Sequence, residues 1–524
     1  MRRPKARAAP PGNWVVLAAV LGSSMVFLDG STVNVSLPAL QASLGASVID
    51  VQWVINGYTL FLAALLMLGG SLGDHLGRKR TFVVGMVWFT LASVWCGLAA
   101  NVTQLIVGRA LQGVGGALLT PGSLALINAS FPKGQRGGAI GSWSAFSAIA
   151  AAAGPILGGW LIDTFSWRWI FFINVPLAAA AIYVTVRHVR ESRDARAGGR
   201  LDYLGAALVT LGLGGAVYAL LEASARSWTD PVILVTGLGG LALLAAFVLV
   251  EARSAGPMVP LELFRSRVFS GINVITLLLY ANLAGLMFFL PMFLIQVRGF
   301  SATAAGAAGL PLVLLLLVAS SWSGRLYDRV GPRAPVGGGA LLTAAALVMF
   351  VTLGDAPTFL AAVTVPMIVM GAGMALLVAP LTTTVMAAAP DELAGTASGI
   401  NNAVSRVAGL LAIGVLGLVM LATFAADLAA TLPASDLPQP AQEALLAARN
   451  DLAGMALPPE LTPRQAAAAR DAVGGAFTLG FHRVLYGMAG AAVVAALLAA
   501  TTLPGRRAAA ASTVDDQSGR RAPT

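Results

Sequence analysis

Cysteine, histidine, lysine and charge in general are scarce in this chain, and each shortage removes a class of function. One cysteine, Cys96, excludes an intramolecular disulfide, and three scattered histidines offer no ligand spacing for a metal. Lysine occurs three times, at Lys5, Lys79 and Lys133, against 30 arginines. Only 11 % of the 524 residues are charged, whereas soluble domains carry roughly a quarter. A soluble protein is thereby excluded. No GxxxxGK[ST] phosphate-binding motif is present, so direct ATP drive is not expected, and no nucleophile, base and orienter are visible as an enzyme would need. The residues call for no metal and no cofactor.

What is abundant is apolar sequence, 57 % of the chain, in stretches of about 20 residues that each match a hydrocarbon core of roughly 30 Å. Candidate spans lie at 14–38, 52–72, 81–100, 104–126, 139–162, 169–187, 203–222, 231–251, 270–296, 303–323, 335–354, 358–384, 395–423 and 481–503, fourteen in all. The basic segment Met1 to Pro11 precedes a span without a small-residue cleavage site, so the first helix is expected to be permanent. An even count puts both termini on one side. The segments on that side hold 24 Lys or Arg and the opposite ones seven, which makes the termini cytoplasmic by the positive-inside rule. The net charge of +10 then encodes topology, and nucleic acid is not expected as a partner.

Breaks in hydropathy at Arg187–Arg200 and Glu251–Phe269 divide the spans as six, two and six. The expected organisation is a basic cytoplasmic N-terminus (1–13), a six-helix bundle (14–190), a linker region with two extra transmembrane helices (191–269), a second six-helix bundle (270–503) and a disordered cytoplasmic tail (504–524). The second bundle includes an extracytoplasmic loop at 425–480. There, Thr462, Pro463 and Gln465 have the pattern of an N-cap, a first-turn proline and a capping box, so a short surface helix is expected. The loop reads either as simply solvated or as a lid.

Residues 70–80, GSLGDHLGRKR, form a tight turn between the second and third spans. Gly70 and Gly77 permit close backbone approach, Asp74 can accept from a helix N-terminus, and Arg78, Lys79 and Arg80 hold the turn in the cytosol. A shortened copy, GRLYDRVGPR at 324–333, repeats Gly70, Asp74, Gly77 and Lys79 as Gly324, Asp328, Gly331 and Arg333 at a constant offset of 254 residues. Two halves related by repetition are expected. In VGRALQGVGGA (107–117) an arginine sits inside a span, and in AAAAGPILGGW (150–160) Gly154 and Gly158 share one helix face while Pro155 removes a backbone donor between them.

With LDGSTVNVSLP (28–38), these motifs resemble those of the major facilitator superfamily, and of its fourteen-span drug:proton antiporter branch in particular, over nearly the whole chain. The resemblance implies an all-α polytopic membrane protein with the major facilitator fold, two six-helix bundles plus two extra linker helices. It implies that Gly70, Asp74, Gly77, Arg78 and Asp328 govern gating, and that Gly154, Pro155 and Gly158 couple the two conformations and limit leakage. Simple small-residue packing is the other reading of those last three.

Arg109 needs a partner, because an arginine within a span costs about 2.5 to 3.5 kcal/mol and cannot shed its proton. At 1.5 Å per residue it lies roughly 8 Å below the outer end of its span, and Asp29 lies roughly 13 Å below the outer end of the first. Similar depth makes pairing feasible and makes Asp29 and Arg109 the candidates for proton coupling. The alternative is a structural carboxylate that bonds Thr32, Asn34 or backbone. Arg406, roughly 16 Å deep, has no acidic residue in the C-terminal spans to answer it. It is either satisfied by carbonyls or by Asn401 and Asn402, or it faces the cavity and attracts an anionic or acceptor-rich part of a substrate. Asn34, Asn56, Tyr58, Gln112, Asn273, Tyr280, Asn282 and Gln296 are further cavity candidates. The expected function is proton-coupled export of small amphipathic compounds by a monomer in the cytoplasmic membrane. Rivals are an uncoupled facilitator and an exporter of a peptide, siderophore or sugar; a receptor or enzyme is a more remote class.

Overall fold

A computed structural model describes residues 12–505 except 132, 194–201, 224–225, 255–256, 258, 355–357 and 391–392. The N-terminal basic segment and most of the C-terminal tail lie outside the described residues. The helices, in chain order, are α1 (Gly12–Leu44), α2 (Val48–Leu76), α3 (Arg78–Leu98), α4 (Val102–Ser130), α5 (Lys133–Thr164), α6 (Trp169–Phe172), α7 (Asn174–His188), α8 (Tyr203–Glu222) and α9 (Pro231–Arg253). They continue as α10 (Arg267–Met292), α11 (Ala302–Ala307), α12 (Leu310–Val330), α13 (Arg333–Leu353), α14 (Val365–Ala387), α15 (Ala394–Thr431), α16 (Gln439–Ala447) and α17 (Pro463–Thr502). Thirteen helical spans among the described residues are long and apolar enough to cross a bilayer, and α5, 32 residues long, takes the place of the remaining expected one.

Local chemistry sets the ends. Ser47 and Asp50 form a reciprocal capping box at the start of α2, and Asp202, Asp230, Ser266 and Ser301 cap α8, α9, α10 and α11. Two expected spans are broken helices. The span at 169–187 divides into α6 and α7 just before Pro176, and the span at 303–323 divides into α11 and α12 around Gly309 and Pro311. The short surface helix expected at Thr462 is instead the first turn of α17, which runs 40 residues without interruption. Its capping box is present as read, with Gln465 N donating to the Thr462 hydroxyl and Thr462 N donating to Gln465 Oε1. With α15 also running 38 residues to Thr431, the segment between the two helices is much shorter than 425–480.

Helices α1 to α7 pack on one another, as do α10 and α12 to α17; α11 packs mainly on α5, and α8 and α9 pair with each other while α8 touches α2 and α15. At the end of the bundle away from the chain termini, here the loop end, the two sets are fastened together. Asp163 at the end of α5 accepts from the backbone N–H groups of Ala302 and Thr303 (3.2 and 2.8 Å) and from the Thr303 hydroxyl (2.5 Å). Gln296 donates to Gln41 (2.8 Å), and Gln52 donates to the Ile413 carbonyl (3.4 Å). Below Asp163 the backbones come close: a Cβ on Gly306 would stand 2.1 Å from the Pro155 carbonyl oxygen, and one on Gly159 2.4 Å from that of Ala302.

A 3-10 turn, Arg449–Gly454, lies across this seam and touches α1 and α2 on one side and α15 and α17 on the other. Leu452 is fully buried at its centre with φ 50°, a region disfavoured for a branched residue. Burial, and then the charge of Asp50, push the Asp451 carboxyl above its ordinary value. The docked turn therefore favours protonated Asp451: its contribution is full below the unfolded-chain value and is lost as pH rises through the raised one. Amide protection factors at 449–454, with the intrinsic pH dependence of exchange divided out, should accordingly fall from acidic to neutral pH in the wild type, and Asp451→Asn should flatten that dependence.

Candidate functional site

Arg109 and Gln112, three residues apart on α4, share a helix face that turns inward. Arg109 Nη1 meets Asp29 Oδ2 of α1 at 2.5 Å, with both side chains almost wholly buried. Both carboxylate oxygens and the guanidinium Nε and Nη1 have partners. Gln112 Nε2 donates to Asp29 Oδ1 (2.8 Å), Asn174 Nδ2 donates to the same oxygen (3.3 Å), and Arg109 donates to Gln112 Oε1 (2.8 Å) and to the Val54 carbonyl of α2 (3.1 Å). Asn174 also donates to Ser93 of α3 (3.0 Å), and the guanidinium stacks over the Tyr58 ring at 4.2 Å. The network ties α1, α2, α3, α4 and α7 together. Thr32 does not approach the carboxylate; its hydroxyl donates to the Asp29 backbone carbonyl.

A cavity of about 380 Å³ adjoins this pair, lined by α1, α2, α4 and α5 on one side and by α10, α11, α12, α14 and α15 on the other. Arg109 belongs to both, paired with Asp29 and contributing to the cavity wall. Of the sequence candidates, Asn34, Tyr58 and Arg406 line it, as does Pro155. The others are placed elsewhere. Gln112 is spent on Asp29 and Arg109, and Asn56, fully buried, turns away while its neighbours Ile55 and Tyr58 line the wall. Asn282 donates to the Met488 carbonyl of α17. Tyr280 and Asn273 precede the wall residue Met287 by about two and four helical turns, so they lie beyond its reach toward the terminal end. Gln296 lines a separate recess beside Arg470 at the loop end.

The motif residues are accounted for in the same terms. Gly154 and Gly158 press α5 onto α1, where a Cβ would meet Ser31 Oγ at 2.0 Å and Thr32 Cβ at 3.0 Å. Gly77 has φ 118° between α2 and α3, which explains the glycine, whereas Gly70 makes only ordinary contact with Pro121. Asp74 does not accept from the α3 N-terminus as expected. It accepts from Arg78 (2.8 Å), one turn on, and Glu191 takes the helix end, accepting from Lys79 N and Arg80 N (3.0 and 3.1 Å). Asp328 falls on α12, with its side chain outside the described residues. Sequence reasoning missed Asn174, Asp163 and Glu191. The amide of Asn174 inside the apolar run FFINVPL and the single acid in RHVRESR were the available signals for two of them.

Paired helical halves around a central cavity, with a fully buried ion pair in its wall, define a multi-pass membrane transporter of small molecules. The sequence matches the model of the Major Facilitator Superfamily over residues 19–413, and the chain belongs to that family. It is 37 % identical over 405 residues to the tetracenomycin C resistance and export protein of Streptomyces glaucescens, covering 77 % of this chain and 75 % of that one. It is also 37 % identical over 424 residues to the puromycin resistance protein pur8 of Streptomyces alboniger (80 % and 84 % covered), and 36 % identical over 436 residues to the multidrug resistance protein Stp of Mycobacterium tuberculosis strain H37Rv (82 % and 80 %). Among solved structures, a bacterial homologue of the human lysosomal transporter Spinster superposes with TM-score 0.65 at 18 % identity, over 94 % of this chain and 96 % of that one.

Proposed function

We propose that this protein exports small amphipathic compounds, drugs or antibiotics among them, across the cytoplasmic membrane in exchange for protons. The observation that carries the reading is the buried Asp29–Arg109 pair, whose arginine lines the cavity. A carboxylate held by an arginine and two amides has two stable arrangements, ion pair and protonated acid, and it joins helices that must move together. Kinship with resistance and export proteins supports the direction of transport. With the termini in the cytoplasm, the fastened loop end faces outward, so the cavity is closed on the outer side. Alternating access then requires the α5–α11 seam to open, with the turns around Gly77 and Gly331 as hinges.

Substrate-triggered proton movement in proteoliposomes, measured for cationic, neutral and acidic compounds, tests the reading. Proton flux opposite to substrate establishes antiport; transport without flux makes the protein an uncoupled facilitator. The seam has its own test. Gly306→Val places side-chain atoms where the Pro155 carbonyl already stands, so it should weaken the outer closure. A cysteine introduced at position 34 in a Cys96→Ser background should then react severalfold faster with an impermeant reagent added from outside. An unchanged rate would mean that the seam does not limit access.

A further inference from the structure

Two guanidinium groups reach the cavity wall, and they differ in what answers them. Arg109 is met by Asp29 at 2.5 Å. Arg406, contributed by α15 from the opposite half, has its Nε buried and without a hydrogen-bond partner. The amides that were its expected partners make no hydrogen bond to it among the described residues. Asn401 Nδ2 donates to Asn273 Oδ1 (3.0 Å) and Thr276 Oγ1 (2.8 Å), and Asn402 is exposed. No carboxylate lines the cavity among the described residues, and most of the wall is apolar, including Val26, Phe27, Leu290 and Met367.

A guanidinium cannot lose its proton, so a charge in such a wall is stabilised only by an acceptor brought to it. We infer that Arg406 is the recognition group for an anionic oxygen on the substrate, so that the preferred cargo is an apolar body carrying a carboxylate or an acidic phenol. The cavity volume is that of a small drug-sized ligand. Specificity follows from the unpaired donor: a neutral analogue offers it at best an uncharged, weaker acceptor, and a cationic analogue meets like charge. The inference deepens the export reading and rests on it for the word cargo. It also constrains the coupling. An anion beside Arg406 does not compete by charge with a proton on Asp29, so exchange must work through the hydrogen-bonded pin that Asp29 makes between α1, α4 and α7, while the anion leaves with the inside-negative potential.

The test uses one skeleton with three head groups. The full chain in lipid nanodiscs is titrated near neutral pH with 1-pyrenebutyrate, 1-pyrenebutanol and 1-pyrenebutylamine, reading tryptophan-to-pyrene energy transfer with empty nanodiscs subtracted. A charge-assisted hydrogen bond is worth roughly ten- to a hundredfold in affinity. The butyrate should bind at least about tenfold tighter than the amine. Arg406→Gln should erase that gap while butanol binding persists, weakened far less than that of the butyrate, which also reports an intact cavity; Arg406→Lys should retain part of the gap. A gap that survives in Arg406→Gln, a wild type that prefers the amine, or no binding of the butyrate would each overturn the inference. Proton-linked transport of the butanol without any anion preference sinks this inference alone. Anion preference without proton-linked transport of any of the three sinks the antiport reading and leaves Arg406 in its role.

Discussion

Asp29→Asn should reduce proton-linked export to the level of empty vesicles while the protein stays folded. Asparagine matches the shape of a protonated carboxyl, and Arg109 keeps its bonds to Gln112 Oε1 (2.8 Å) and the Val54 carbonyl (3.1 Å). The variant thus imitates one state of the cycle and cannot leave it. Measured in proteoliposomes with an imposed pH gradient, uphill accumulation should vanish, while substrate still binds because Asp29 does not line the cavity. Uphill transport that survives the substitution would return Asp29 to a purely structural role.

Arg109→Leu should be the most destabilising single change in the protein, and adding Asp29→Leu should restore much of what it loses. Removing the arginine strands a carboxylate that has no exposed surface. Breaking a buried pair from one side costs about 3 to 5 kcal/mol, whereas replacing both partners by apolar groups is often close to neutral. Thermal unfolding in detergent should show a large drop for the single variant and a partial recovery for the double. Transport should be lost in both. Equal destabilisation of single and double variants would mean that the energy lies in packing around Arg109, including its stack on Tyr58, and not in the charge pair.

The long periodicities of the fold were legible because the bilayer imposes them: a charge-poor chain must satisfy its backbone within helices. The pairing of Asp29 with Arg109 was legible from depth alone, since a buried arginine has few places to turn. Side-chain direction around a helix was not. Asn56 and Tyr58 are two residues apart and differ in which faces the cavity, and Gln112 is consumed by the pair it was expected to stand beside. Hydropathy also hid the end of the chain. A polar, alanine-rich stretch outside the membrane has the composition of a loop, yet the capping box at Thr462 starts a helix that continues through the bilayer. Contacts between distant segments, such as Glu191 on the start of α3, leave no periodic trace at all.

The turn at Arg449–Gly454 is wedged between α1 and α2 on one side and α15 and α17 on the other. When the halves separate at that end it can stay with only one of them. Leu452 then leaves a pocket in which its backbone is held at a cost of order 1 to 3 kcal/mol. On the alternating-access reading proposed above, that turn would be a latch under load, partly self-releasing, and a few residues that line no part of the cavity would help to set how long the closed state lasts.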